Sequence, residues 1–172
     1  TEAIARGKKS VELFSEENQL GVGCVRCHGP ELRGGVIQFQ GGYAYPPDLT
    51  TICGGPNTGH PKILSLDDIY TTIEEGRTTA GMPSWSIRYE GALDDQQIND
   101  IVNYLVWMSS KNVPYEQNVC INPDAAKGIY ERIVTQYPDS IWSQHARLRY
   151  HALSPQPFEN APAGAAQKAT NP

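Results

Sequence analysis

The sequence predicts an all-α protein, and two observations support this fold class. Apolar residues recur at helical spacing in several separate segments, whereas no segment sustains the alternation of apolar and polar residues that indicates a strand. Glycine and proline are also frequent, at 16 and 13 of the 172 residues. Because these residues interrupt helices, much of the chain between the helices should be loop.

Three helices are expected before residue 110. One covers residues 3–14, where apolar residues are spaced by three and four. The next begins after Ser65, a good N-cap residue, and ends at Gly76. The third has the strongest helical periodicity and runs from near Asp94 to about Met108.

The chain beyond residue 110 has a different character. Its charge balance is +1, against −6 for the first 110 residues. Residues 111–122 indicate a connector, residues 123–153 predict two helices joined in a hairpin, and residues 154–172 predict an extended tail rich in proline and alanine. We therefore expect one domain over residues 1–110, followed by a helical extension.

Charge and hydropathy exclude two classes of partner. The net charge is −5 and the basic residues are scattered, so the chain has no basic patch for nucleic acid. The longest apolar cluster, residues 104–108, is far shorter than the ~20 residues of a membrane span. The chain also begins without the pattern of a secretory signal, so we expect Thr1 to be a mature or trimmed terminus, with any membrane anchor upstream of it.

One short motif carries the chemistry. Cys24, Cys27 and His28 stand at positions i, i+3 and i+4, which places them on one face of a helical turn. Covalent attachment of haem needs this arrangement, because two thiols reach its vinyl groups while the next imidazole reaches the iron. Gly29 then lets the chain leave the ring face without a Cβ. The motif predicts one covalently bound haem c.

The cysteines could serve two other roles. A redox-active dithiol would require a βαβ context, which the sequence does not predict. A zinc or iron–sulfur site could recruit Cys53 and Cys120 together with Cys24 and Cys27, but these spacings lack a second Cys-x-x-Cys pair. Haem attachment is therefore the favoured interpretation.

The iron also has a coordination position opposite His28. Five side chains could fill it: Met82, Met108, His60, His145 and His151. Met108 belongs to an apolar helix and is better explained as core, whereas His60 is either a ligand or a polar loop residue. Met82 lies between Gly81 and Pro83 in an aperiodic segment that can present a thioether to a buried metal. Met82 is the favoured ligand.

The order of these features resembles that of class I cytochromes c over about residues 3–109. The shared features are a first helix, Cys24-x-x-Cys27-His28, Pro47-Asp48-Leu49-Thr50, a short helix ending near Gly76-Arg77, Gly81-Met82-Pro83 and a terminal helix ending at Tyr104-Leu105. The resemblance implies a small helical fold around one haem c, with His28 as the proximal ligand and Met82 as the distal ligand.

The same resemblance suggests roles for residues around the haem. It places Pro47 near the carbonyl group that accepts the Nδ1 proton of His28, although the neighbouring Pro46 is an alternative. Arg77 and Trp85 are candidates to reach the haem propionates. Equally plausible roles for these two side chains are a solvated charge and a core aromatic ring.

Two cysteines remain after haem attachment. Haem is attached on the outer face of an energy-coupling membrane, where thiols oxidise, so Cys53 and Cys120 are expected to form a disulfide. In the entropic model, closing this loop stabilises the fold by roughly 4 kcal/mol. The bridge would pin the extension to the haem domain; the alternative is a pair of unrelated buried thiols.

The extension resembles one helical hairpin of the tetratricopeptide type. Ala126, Tyr130, Ile133 and Tyr137 would share one face of the first helix. A single hairpin of this kind cannot bury its apolar face alone, because such repeats are stabilised by stacking on neighbours. Residues 111–172 are therefore expected to contact the haem domain or other subunits.

These features predict an electron-transfer protein rather than an enzyme. A haem bound by both His28 and Met82 has no open coordination position and exchanges single electrons with redox protein partners. The expected donor is a quinol-oxidising complex, and the expected acceptor is a haem or copper protein. A haem-based sensor or enzyme is the alternative if Met82 is not a ligand.

The extension favours a fixed subunit of an extracytoplasmic-facing membrane complex of a respiratory or photosynthetic chain. A freely diffusing carrier is the alternative. The overall layout resembles the monohaem cytochrome subunit of the quinol-oxidising assembly called alternative complex III. This resemblance implies a periplasmic or extracytoplasmic location, with membrane association through partners or an upstream anchor.

Overall fold

The computed structural model describes residues 2–12 and 23–153. They belong to two compact units, of which the first ends at Asn122 and the second begins at Pro123. Phe14, at the end of the first predicted helix, and the predicted tail lie outside the described residues. None of the helices within the described ranges is long and apolar enough to span a membrane.

The described residues are mostly helical, which confirms the all-α fold class. Six α-helices occur in the described ranges: α1 (Glu2–Val11), α2 (Val25–His28), α3 (Leu66–Glu75), α4 (Asp95–Ser109), α5 (Pro123–Gln136) and α6 (Ile141–Leu153). Short 3-10 helices cover Leu49–Thr58, Thr78–Ala80, Ile87–Tyr89 and Tyr115–Gln117. The helices predicted by periodicity agree with α1, α3, α4, α5 and α6 to within a few residues.

Local sequence explains where the central helices begin and end. The Oγ atom of Ser65 accepts a hydrogen bond from the backbone N–H of Asp68 and caps α3, as expected. α4 begins with a capping box, in which Asp94 and Gln97 each accept a hydrogen bond from the other's backbone N–H. These caps satisfy N–H groups that a helix cannot pair internally.

The expectation of a chain without strands is wrong. Two short antiparallel strands, β1 (Ile37–Phe39) and β2 (Gly42–Ala44), form a hairpin in which Ile37 pairs with Ala44. The turn residues Gln40 and Gly41 have φ values of 46° and 81°, so both lie in the left-handed region that a tight hairpin turn needs. The three-residue strands are too short for an alternating pattern to be recognised.

Helices α1 and α4 cross at a glycine. Gly7 is buried against α4, and a Cβ at this position would overlap the carbonyl oxygen of Asp100. Beside the crossing, Arg6 Nε lies 2.7 Å from the Asp100 carboxylate, which is almost fully buried. Ile98, Ile101 and Leu105 of α4 are fully buried in the core of this unit. The close crossing therefore fixes the terminal helices of the first unit against each other.

A disulfide fastens the end of the first unit. Cys53 and Cys120 are joined by a disulfide, with their Cα atoms 5.4 Å apart and a separation of 67 positions in sequence. The backbone N–H of Cys53 donates to Ser109 Oγ at 3.0 Å, and its carbonyl accepts from the N–H of Val119 at 2.9 Å. The residues expected to be a connector, 111–122, thus belong to the first unit and are tied to its 3-10 helix.

The second unit is a helical hairpin of α5 and α6. Ser140 caps α6, since its Oγ accepts from the N–H of Ser143 at 3.1 Å. Ala126 and Tyr130 of the predicted α5 face are buried, and Ile133 is half-buried. Tyr137 is 61% exposed, although its backbone N–H still donates to the carbonyl of Ile133 at 3.0 Å.

Candidate cofactor site

The Cys-x-x-Cys-His motif forms a single helical turn at the wall of a cavity. Cys24 is the N-cap of α2, and its carbonyl accepts from the N–H of His28 at 2.9 Å. The two cysteines and His28 all line this cavity. Gly29 follows with a φ of 78°, a left-handed conformation that favours glycine. The turn therefore presents two thiols and an imidazole to the same space, as the spacing predicts.

A hydrogen bond fixes the orientation of the His28 ring. Its Nδ1 atom lies 2.8 Å from the carbonyl oxygen of Pro47. The carbonyl of Pro46 instead accepts from the N–H of Gly35 at 3.0 Å, so Pro47 is the proline that supports the ring. With the Nδ1 proton donated to a carbonyl, Nε2 retains the lone pair that binds a metal.

Burial further suits His28 for metal binding. The residue is only 8% exposed, and burial lowers the pKa of its imidazole, against the opposing effect of the Pro47 carbonyl. The neutral ring is therefore favoured at physiological pH. A neutral imidazole is the form that a metal ion requires.

The cavity has a volume of about 730 Å³ and lies within the first unit. Its walls are mainly apolar, and the contributing side chains include Ile52, Ile63, Ile69, Ile73 and Leu105. Such a volume lies within the ~300–1,000 Å³ of pockets that enclose a small molecule. A large flat apolar group with thiol-reactive substituents and a metal centre fits this combination of walls, thiols and imidazole.

Met82, Arg77 and Trp85, all predicted from the sequence, line the same cavity. The backbone of Met82 pairs with that of Arg77 in both directions, with N–H to carbonyl distances of 2.8 and 3.1 Å. This pairing closes the short 3-10 helix between them into a loop. The loop therefore holds the thioether of Met82 at the cavity wall.

The hairpin of β1 and β2 contacts this loop. A Cβ at Gly81 would lie 3.3 Å from the ring of Phe39 and 3.5 Å from the Cβ of Ala44. Both hairpin residues also line the cavity. The sequence did not predict that a hairpin forms this wall of the cavity. Its one local indication of a turn is the Gly41-Gly42 pair between the aromatic residues Phe39 and Tyr43.

The other candidate iron ligands are placed differently. His60 lines the cavity, whereas Met108 is half-buried on α4 and does not line it. His145 is exposed on α6 in the second unit. The side chain of His151 lies outside the described residues. Of the four candidates whose side chains the structure describes, Met82 and His60 line the cavity that contains His28.

The geometry disfavours a four-cysteine metal site. Cys53 and Cys120 are bonded to each other, and burial raises the pKa of Cys24 to about 12. The Cys24 thiol is therefore protonated at neutral pH, whereas a metal binds a thiolate. Within the described ranges, no group of three or more histidine, cysteine, aspartate or glutamate residues could hold a metal ion.

A family model described as cytochrome c matches residues 4–109, more than half of the chain. The chain belongs to the cytochrome c family. Its cofactor is one covalently attached haem c, and its function is haem-based electron transfer with redox protein partners. No curated protein and no solved structure gives a match to this chain.

Proposed function

We propose that Cys24 and Cys27 attach the haem and that His28 and Met82 bind its iron from opposite faces. The observation that carries this proposal is that all four side chains line one apolar cavity. The Pro47 carbonyl orients His28, and the loop beginning at Arg77 holds Met82. With both axial positions filled, the protein has no site for a substrate at the metal.

The haem supplies the one-electron exchange, and the residues around it set its reduction potential. Methionine ligation raises the reduction potential compared with two nitrogen ligands. The apolar walls exclude water and favour the less charged ferrous state. Hydrogen bonding to Pro47 keeps the His28 ring in one orientation, so little rearrangement accompanies a change of charge. These contributions suit an electron carrier with a raised reduction potential.

Carbon monoxide binding tests the ligand assignment. We expect the reduced protein to resist carbon monoxide, because Met82 occupies the position that the gas needs. Met82→Ala should bind it readily. The matched control is Met108→Ala, since the sequence has only two methionines and Met108 does not line the cavity. Equal carbon monoxide binding by the unmodified protein and Met82→Ala would contradict the assignment.

We further propose that the protein is a subunit of an extracytoplasmic-facing membrane electron-transport complex. The second unit supports this proposal, because electron transfer through one haem needs no tetratricopeptide-like hairpin. Such hairpins serve as contact modules when stacked on neighbours. The resemblance in layout to the cytochrome subunit of alternative complex III points to a quinol-oxidising donor.

Native gel electrophoresis of mildly solubilised source membranes tests this assignment. We expect the haem stain to migrate in a large band that also contains quinol-oxidising activity. A haem band migrating at the size of the single chain would instead identify a freely diffusing carrier.

A further inference from the structure

Helix α6 has two large apolar side chains on a face that the described residues leave exposed. Ile141 is 63% exposed and Leu148 is 71% exposed. Seven positions, or about two helical turns, separate them in α6, so both lie on the same face of the helix. His145 lies between them on this face and is also exposed. Ile141, His145 and Leu148 are called the outer stripe below.

The buried face of α6 is small and polar by comparison. Helices α5 and α6 pack against each other, yet the buried side chains described for α6 are Ser143 and Ala146. The Ser143 hydroxyl has no hydrogen-bond partner in the described part of the chain, and Arg147 on the same face is half-buried. Burying serine and alanine removes little apolar area from water. The faces of α6 are therefore reversed compared with an ordinary surface helix, which buries its apolar stripe.

This reversal indicates that the outer stripe is a contact surface. Single apolar residues scattered over a surface need no explanation, but a group of exposed apolar residues marks an interaction site. Here the exposed residues repeat along one helix face. The turn before α6 adds Tyr137, which is 61% exposed. Aromatic residues of this kind are common in the centres of protein interfaces.

The spacing of the outer stripe indicates a helical partner. Apolar residues seven positions apart form the seam along which one helix packs on another. A membrane surface fits less well, because a helix that lies in the bilayer interface needs a large apolar face. In α6, the polar residues Gln144 and His145 stand between Ile141 and Leu148.

The charge of α6 indicates the charge of the partner. The helix contains Arg147 and Arg149 and no acidic residue, and Arg149 is exposed directly after Leu148. Two copies of α6 packed on each other would bring like charges together, which disfavours a dimer of identical stripes. A helix that carries carboxylates beside its apolar residues matches both the apolar spacing and the charge of α6.

We propose that the outer stripe is the docking surface for an acidic amphipathic helix of another subunit. The apolar residues of the partner helix cover Ile141 and Leu148, and its carboxylates lie on the side of Arg149. The hairpin thereby gains the neighbour that a helical repeat needs for stability. The inference deepens the proposed role as a complex subunit and rests on it.

Photo-crosslinking of the full haem-loaded chain in source membranes tests this proposal. A benzophenone amino acid replaces Leu148, and in the matched control it replaces Thr135, which is exposed on α5. After irradiation, the peptide linked to the chain is identified by mass spectrometry. We expect one major adduct at position 148 and none at position 135. The linked peptide should come from another protein and have acidic residues beside apolar residues at helical spacing.

Native gel electrophoresis of the double variant Ile141→Ser/Leu148→Ser provides a second readout. Both side chains are mostly exposed, so the variant should unfold at the same temperature as the unmodified protein. We expect the haem stain in the large band to fall at least tenfold, because the partner helix loses its apolar contacts. Thr135→Ala is the control and should retain the band.

Two results would overturn the inference and leave the subunit role intact. One is an unchanged large band in the double variant. The other is a chain that migrates in the large band but gives no adduct at position 148, or adducts only with lipid, a second copy of the chain or residues 154–172. Migration of the unmodified protein as a single chain would instead overturn the subunit role, and the inference with it.

Discussion

The two side chains proposed to bind the iron are supported by different kinds of structure. On the proximal side, His28 is almost fully buried and is oriented by Pro47, a residue distant in sequence. On the distal side, Met82 is half-buried and is held by a loop that closes on Arg77, five positions earlier. Long-range packing fixes the first, whereas local backbone pairing fixes the second. We therefore expect Met82 to lose its position before His28 does when the protein is destabilised.

The disulfide strengthens the proximal side and gives the largest predicted effect. Cys53 belongs to the 3-10 helix that follows Pro47, and its bridge spans 67 positions. We expect the double variant Cys53→Ala/Cys120→Ala to lose about 4 kcal/mol of unfolding free energy, measured by chemical denaturation. Reductant should destabilise the unmodified protein similarly and leave the double variant unaffected. An effect of reductant on both proteins would contradict this account.

A substitution at Gly81 should weaken the distal side more selectively. Gly81 has a φ of 86° and lies against the ring of Phe39. Gly81→Ala should lower the free energy of unfolding by about 1–2 kcal/mol, because alanine is strained in the left-handed region. It should also reduce the intensity of the charge-transfer band from methionine sulfur to ferric iron, the methionine-to-iron band. Gly41→Ala is the control, because Gly41 has a φ of 81° but nothing within 4 Å of an added Cβ.

The comparison between these glycines isolates the Phe39 contact. Both alanine variants should lose stability in thermal unfolding, since both carry the same backbone strain. Only Gly81→Ala should alter the spectrum. If both variants alter the methionine band equally, the hairpin does not support the distal loop.

Sequence alone predicts the parts of this molecule that depend on neighbouring residues. The cap at Ser65, the stop at Gly76 and the attachment turn at Cys24 are local, and each is found where the pattern places it. The hairpin is not predicted because its turn requires Gln40 to adopt a left-handed backbone conformation. A glutamine rarely adopts this conformation, so the sequence gives little indication of it.

The site residues that sequence leaves open depend on tertiary structure. Either Pro46 or Pro47 could orient His28 as far as the sequence shows. Only the direction of their carbonyl groups in the structure distinguishes them, because the Pro47 carbonyl faces His28 Nδ1 and the Pro46 carbonyl accepts from Gly35. His60 is separated from the attachment motif by a long loop region. Its position in the cavity follows from the packing of the loop after Gly55, which no local pattern reveals.

The central claim is that Met82 binds the iron opposite His28. The most direct measurement is the visible charge-transfer band from methionine sulfur to ferric iron, compared among the unmodified protein, Met82→Ala and Met108→Ala. The account predicts that the unmodified protein and Met108→Ala show the band and that Met82→Ala lacks it. A band that persists in Met82→Ala would contradict the account.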